Sequence, residues 1–544
     1  MKLTRIVIGL LVLSVHFAFS QQTNSPAAQP KLVIGIVVDQ MRYDYIYRFW
    51  DKYSKNGFRR LVNEGYFCRN TNYNYLPTYT APGHASVFTG TTPAVHGIIG
   101  NNWHVQANGA SMYCTDDKTV QTVGSTSVAG QMSPANMLTT TITDELRLSS
   151  NFSSKVIGIS LKDRGSILPA GHLANAAYWF DSQNGAFITS TYYMQTLPDW
   201  VEAFNKKGVA ASYLSKPWTP LLAINQYTES LSDDSPYEGK YSGEQNPVFP
   251  HNLPEIFKTE GFELIRSTPF GNSIVKDFAL QAIQAEKLGK GKATDFLAVS
   301  FSSTDYIGHK YGIRAIELED TYLRLDQEIA QLLTFLDTYL GKNKVLVFLT
   351  ADHAAADVPA FLSDRKVPAG IFDHSQLSGL RKFLFQQYGD SLVTRFINQQ
   401  IYLNQKVIHT KNLNLKEVEQ KVADYALAMT GVASTLPSYA LRTGEFSYGV
   451  NRLIQMGYHA QRSGDVIVTL LPAWMEIGKT GTTHGSPYSY DTHVPLLWYG
   501  WQIKPGSTFE PVNITDIAPT LAAFLNTSFP NGCTGQPIKT LVEK

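Results

Sequence analysis

The sequence predicts an α/β fold, with a central, mainly parallel sheet, helices on both faces and two insertions over its C-terminal edge. Two observations carry that prediction. The run Lys31–Val38 is near-continuously apolar and rich in β-branched residues, the pattern of a strand covered on both faces, and Lys155–Arg164, Thr294–Thr304 and Lys344–Ala351 read as further strands. Each run stops at charged residues: Asp39, the Lys162/Arg164 pair, Asp305 and Asp352. Polar groups at the C-terminal ends of parallel strands lie where open α/β sheets bind ligands.

Residues 1–20 read as a secretory signal peptide. Lys2 and Arg5 precede the apolar run Ile6–Phe19, and Ala18-Phe19-Ser20 forms a small-x-small cleavage site. No second stretch of eighteen apolar residues follows, so residues 21–544 are expected to form one exported domain with no membrane span, periplasmic or secreted. Gly57–Gly65 predicts a short amphipathic helix. The stretch Asn72–Gly90 then turns from a tyrosine-rich loop into a small-residue helix at Thr80-Ala81-Pro82, with Thr80 in the N-cap position. A hydroxyl there faces unpaired N–H groups and the positive end of the helix dipole, so it can stand beside a bound anion.

Asn101 offers an amide in the loop that follows. Read as extended chain, Lys162 and Arg164 point to one face, as a pair that could clamp phosphate. Residues 165–290 lack βα alternation and are expected to form an insertion over the site. Leu318, Tyr322, Leu325, Ile329, Leu332 and Leu336 recur at helical spacing and predict a core-facing stripe with no chemistry. Residues 355–465 form a second insertion, after which Asp465–Leu471 is expected to return to the sheet. His484 lies in a Gly-rich loop, with His493 as its rival. Val494–Tyr499 is a last strand and Ile514–Leu525 a closing helix.

A formal net charge of +1, from 46 basic and 45 acidic side chains, excludes an electrostatically held nucleic-acid binder. Of the three cysteines, Cys68 and Cys114 are the candidate pair, with three free thiols as the alternative. No Cys-x-x-Cys spacing exists, which leaves no thiolate zinc site.

The chemistry-bearing residues form one set. Asp39, Asp305, Asp352, His309, His353 and His484 offer carboxylate oxygens and imidazole nitrogens without thiolates, a set that suits catalytic zinc. Six ligands are too many for one tetrahedral ion and enough for two, each keeping an open position. A Thr80 hydroxyl bound to such a metal would be activated as a nucleophile.

Together VVDQMR, PTYTAPGHAS, HGIIGN, SLKDRG, STDYIGH, TADHA and THGSPY resemble the alkaline phosphatase superfamily, in particular its secreted bacterial branch with a threonine nucleophile. The resemblance covers nearly the whole chain and implies an alkaline-phosphatase-like sandwich. It also implies two Zn2+ per chain, one held by Asp305, His309 and His484, the other by Asp39, Asp352, His353 and Thr80. Asn101, Lys162 and Arg164 would contact the non-bridging oxygens. By the same resemblance the reaction is phosphate-monoester hydrolysis through a phosphothreonine; small-molecule monoesters with broad leaving-group tolerance and a monomeric chain are expected. The sulfatase pattern is excluded, because Thr80-Ala81-Pro82-Gly83-His84 has neither its arginine nor a modifiable Cys. Nucleotide pyrophosphatase/phosphodiesterases share the threonine and the ligands but are implied to lack the Lys-x-Arg pair, whose two cations favour a dianionic monoester. A catalytically silent metal-binding protein is the remaining alternative, and no nucleophile or ligand is missing to favour it.

Overall fold

The computed structural model describes residues 29–543; the signal peptide expected at 1–20 lies outside them. Eleven strands form the central sheet. Its heart is parallel: Leu32–Val38 lies between Asp295–Phe301 and Val345–Thr350, with Val156–Ser160 beyond Asp295–Phe301. All four strands are buried along their whole length, which is why they lack the apolar–polar alternation of half-exposed strands.

The register decides where the site falls. Val37 pairs with Thr350, Val38 with Phe301 and Ser160 with Ser300, so the four strands end level and deliver Asp39, Asp352, Asp305 and Lys162 to one edge. The strand His493–Gly500 closes one side antiparallel to Val345–Thr350, and Tyr66–Asn72 pairs antiparallel with it in turn. Helix Ile316–Tyr339 buries Leu318, Tyr322, Leu325, Ile329, Leu332 and Leu336 against the sheet, at about 1.5–3 kcal/mol of transfer free energy for each fully buried side chain.

Several expectations change. Residues 165–290 do more than cover the site: Ala176–Asp181 joins the sheet parallel to Val156–Ser160, Ala186–Ser190 pairs antiparallel beside it, and Phe270–Ala285 packs into the same core. The apolar run Asp465–Leu471 does form a strand, Val466–Leu470, but not in the central sheet. It pairs with Gln400–Leu403 and Val432–Pro437 in a separate four-stranded antiparallel sheet with its own apolar core around Leu380, Leu403, Val422 and Val468. The second insertion is thus a lobe that runs on past residue 465. Cys68 and Cys114 are not bonded. They sit in different apolar clusters, and burial pushes each thiol up to about 12.

Candidate active site

Thr80 opens the helix Thr80–Thr89 as its first residue, one place later than expected, with extended Tyr79 before it. The helix is buried end to end, and its small residues let it lie against neighbouring backbone. A Cβ on Gly83 would fall 2.2 Å from the Asp352 carbonyl oxygen, so glycine is required there. Asn101 Oδ1 accepts the Ala81 N–H at 2.9 Å, which satisfies one orphan donor of the helix end and leaves the amide N–H groups for a ligand. Asn102 instead begins a short strand.

Asp305 and His309 were expected at the end of an extended run. That strand stops at Phe301, and both residues lie on the helix Ser303–Tyr311. Four residues apart they share one face, with His309 Nε2 3.1 Å from Asp305 Oδ1. Lys162 and Arg164 likewise leave the strand: Lys162 caps the helix Asp163–Ala170 and Arg164 lies in its first turn, so helical geometry rather than alternation sets their directions.

Three imidazoles are oriented the same way. His353 Nδ1–H donates to the Ala354 carbonyl at 3.0 Å, His309 Nδ1–H to Thr482 at 2.8 Å and His484 Nδ1–H to Thr78 at 2.7 Å. Each bond leaves Nε2 with its lone pair, the arrangement of a metal-ligating histidine. Burial lowers His353 to about 3 and, with help from His353, holds His484 well below the ordinary range; both are neutral and able to ligate. The rings of His353 and His484 stack with centroids 3.4 Å apart. His493, the rival, donates its Nε2–H to the Arg69 carbonyl and stacks on Tyr43, so His484 belongs to the site and His493 does not.

Two donor groups converge. Ligand atoms of Asp39, Asp352 and His353 lie within 4.8 Å of one another, as do those of Asp305, His353 and His484; His309 enters through its contact with Asp305. In the first group, Asp39 Oδ1 and Asp352 Oδ2 are buried with no hydrogen-bond partner, and each lies 3.5 Å from His353 Nε2. Orphaned carboxylate oxygens in a dry interior cost several kcal/mol unless a cation or donor meets them. The donors present therefore fit a divalent metal. Thr80 Oγ1 is 3.4 Å from the same His353 Nε2, which puts the hydroxyl at the mouth of that group.

Lys162 holds the charge of the site together. Its Nζ lies 2.6 Å from both Asp39 Oδ2 and Asp305 Oδ2. Burial alone would lower its pKa, but the two carboxylates outweigh burial and raise it. Asp305 shows the converse: burial opposes its ionisation, while His309 and Lys162 hold its carboxyl well below the usual range. Burial, then Asp39, pushes Asp352 well above it. Arg164 donates to the Tyr113 hydroxyl at 2.8 Å, and its Nε is buried without a partner.

Sequence reasoning missed two residues. Gln40 follows Asp39 with φ 63°, the left-handed region few non-glycine residues adopt. That turn lets its backbone N–H reach Asp352 Oδ1 at 3.1 Å and its Nε2–H reach Asp305 Oδ1 at 2.6 Å, tying both carboxylates to one residue. His84 donates Nδ1–H to the Thr80 carbonyl at 2.9 Å and accepts from Ser300 Oγ through Nε2. Its position four residues after Thr80 in a helix was the only available signal.

The family model described as type I phosphodiesterase / nucleotide pyrophosphatase matches residues 33–494. A protein of Myroides odoratus named calcium-transporting ATPase is 47% identical over 534 residues, 97% of each chain. Alkaline phosphatase PafA of Elizabethkingia meningoseptica is 43% identical over 540 residues, 98% of each chain. A crystal structure of wild type alkaline phosphatase PafA superposes with a TM-score of 0.92 at 44% identity, covering 95% of this chain and 99% of that one.

Proposed function

For a chain that belongs to the type I phosphodiesterase / nucleotide pyrophosphatase family and hydrolyses phosphate monoesters as an alkaline phosphatase, we propose two zinc ions, a Thr80 nucleophile and a phosphothreonine intermediate. One observation carries the reading: the Thr80 hydroxyl stands beside His353 Nε2, where two buried carboxylate oxygens have no partner. Asp39, Asp352 and His353 would hold one ion, with Thr80 at its open position. Asp305, His309 and His484 would hold the other. Zinc bound there supplies Lewis acidity, lowering the pKa of hydroxyl and water and carrying charge on the leaving oxygen.

The chain's own residues do the rest. Thr80 Oγ gives up its proton to solvent and attacks phosphorus as the bond to the leaving oxygen breaks, giving phosphothreonine and an alcohol whose oxygen takes a proton from water. Water then breaks the Thr80 Oγ–P bond and releases inorganic phosphate. The Asn101 amide and the Lys162 and Arg164 cations take the non-bridging oxygens, whose charge is spread over three positions in the transition state; the unpartnered Arg164 Nε supports that role. Lys162 must leave Asp39 and Asp305 to do so, which the arrival of divalent cations on those carboxylates favours.

Phosphodiester cleavage is the second reading, favoured by the description of the family model. No feature of the site favours the transport named for the Myroides relative, and among the described residues no helix is long and apolar enough to cross a membrane. The test is kcat/KM for p-nitrophenyl phosphate against bis-p-nitrophenyl phosphate on zinc-loaded protein at pH 8. A large monoester preference is expected. A diester preference would place the chain with the phosphodiesterases, and inactivity on both with zinc bound would revive the silent binding protein.

A further inference from the structure

Beside the active site lies a cavity of about 280 Å3, whose lining includes Tyr79, His484, Phe396, Trp474, Glu476 and Asp491. His484 ties it to the donor group around Asp305, and Tyr79 immediately precedes Thr80, so a leaving group departing from phosphorus has this space next to it. The volume lies just below the range of small-molecule sites, about 300–1,000 Å3, and suits a leaving group of a few heavy atoms.

The lining is one-sided in charge. Among the described residues it contains two carboxylates, Glu476 and Asp491, with His374 beside the first and no lysine or arginine. Asp491 is 1% exposed; its Oδ2 accepts the Ser486 N–H at 2.8 Å, while its Oδ1 is buried with no hydrogen-bond partner. Glu476 Oε1 lies 3.2 Å from His374 Nε2 at the more open rim. Four aromatic side chains, Tyr79, Phe396, Trp474 and Tyr490, share the walls with small, amide and aliphatic residues. Aromatic faces beside carboxylates attract an organic cation twice, through the ring quadrupole and through charge.

The edge of the cavity is also held in place. Asn398 and Gln399, at the tip of the hairpin Val393–Leu403, both have positive φ, 54° and 58°, a backbone that costs non-glycine residues energy. Asn398 Nδ2–H donates to the Asn102 carbonyl at 2.7 Å, which pins this tip to the loop carrying Asn101.

Resting on the phosphatase reading of the site, we propose that this cavity is the leaving-group subsite and that it selects phosphate monoesters of positively charged amino alcohols. A neutral polyol would meet the same carboxylates with weaker attraction, and an anionic leaving group would be repelled by them.

The test compares kcat/KM at pH 9 for phosphocholine, glycerol phosphate and 3-phosphoglycerate, whose leaving groups are cationic, neutral and anionic. Burial lifts both carboxyls to about 7, so both are charged in the assay. Zinc-loaded wild type should prefer the cationic over the neutral ester by about tenfold, the scale of one desolvated cation–π or charge contact, and the anionic ester should be slowest. Glu476→Gln should bring the cationic-to-neutral ratio toward one, and Phe396→Leu should lower the same ratio. Turnover of all three esters at similar kcat/KM, or a preference unchanged in both variants, would overturn the proposal and leave the phosphatase reading standing. Absence of turnover on all three and on p-nitrophenyl phosphate would overturn both.

Discussion

Replacing Lys162 by alanine separates the job its ammonium does in the structure from the one proposed for it in catalysis. Its Nζ touches Asp39 and Asp305 at 2.6 Å and is 2% exposed. Removing one partner of a buried charge network costs about 3–5 kcal/mol, because the remaining charges stay buried and uncompensated. Unfolding entropy of about 2.1 cal/mol/K per residue over roughly 500 residues is about 1.1 kcal/mol/K, which turns that cost into a Tm loss of about 3–5 °C. The loss belongs to the metal-free protein. Once zinc occupies the carboxylates, Lys162 is no longer their counter-ion, and the variant should melt within about 1 °C of wild type on the same scale. Catalysis should move the other way. A charge-assisted hydrogen bond to a phosphate oxygen contributes about 1.5–3 kcal/mol, so kcat/KM for a monoester should fall by about 10–150-fold, with a diester, carrying one charge fewer, losing far less. Differential scanning calorimetry of apo and zinc-loaded protein, paired with monoester and diester kinetics, reads both. An equal Tm loss in the two forms would show that Lys162 stays locked to its carboxylates. Equal kinetic losses would remove it from phosphate recognition.

Thr80→Ala should lower kcat by at least about 10³-fold, as expected for loss of a covalent nucleophile, and abolish the phosphopeptide that quenched-flow mass spectrometry should find on wild type; a phosphorylated Thr80→Ala protein would refute the assignment. Gly83→Ala places a methyl group 2.2 Å from the Asp352 carbonyl oxygen. It should therefore displace Asp352 and reduce bound metal, measured by elemental analysis, from two ions toward one; full metal content would sink that reasoning. His251 is expected to make stability depend on pH. Burial opposes its charge, but Glu244 Oε1 at 2.7 Å and Glu317 Oε1 at 3.2 Å outweigh it and lift the imidazole from 6.5 to about 9. A group raised in the folded state contributes fully below its unfolded pKa, so on the order of 3 kcal/mol is present at pH 6 and lost as pH rises through about 9. The Tm of wild type should fall across that window by about 3 °C, and an identical slope in His251→Gln would assign the effect elsewhere.

The parallel heart of the sheet was legible because strands covered on both faces have a compositional signature of their own, and their C-terminal ends announced Asp39 and Asp352 directly. His484 was recoverable from its glycine-flanked loop. What stayed hidden was decided by tertiary partners. The run Asp465–Leu471 states that it is a strand but not which sheet receives it, since apolar composition is the same in either core. Asp305, Lys162 and Arg164 moved onto helices because the strands before them end a few residues earlier than their apolar tails suggest. The role of Gln40 depends on one left-handed backbone angle, which no residue-type pattern encodes for glutamine.

The three Nδ1–H bonds to backbone carbonyls fix which mutations the site can feel. An imidazole oriented by a side chain can be misaimed by one substitution in that side chain. Here the acceptors are the peptide groups of Thr78, Ala354 and Thr482, which survive any replacement that keeps the local chain path. Substitutions at those three buried positions reach the rings only by shifting the chain, as loss of the Thr78 or Thr482 hydroxyl bond to Ser486 or Ala356 would, whereas a one-residue insertion or deletion in any of the three loops would rotate a ring and misdirect its Nε2. The aim of this centre is set first by loop length, and by loop composition only through the bonds that hold the chain path.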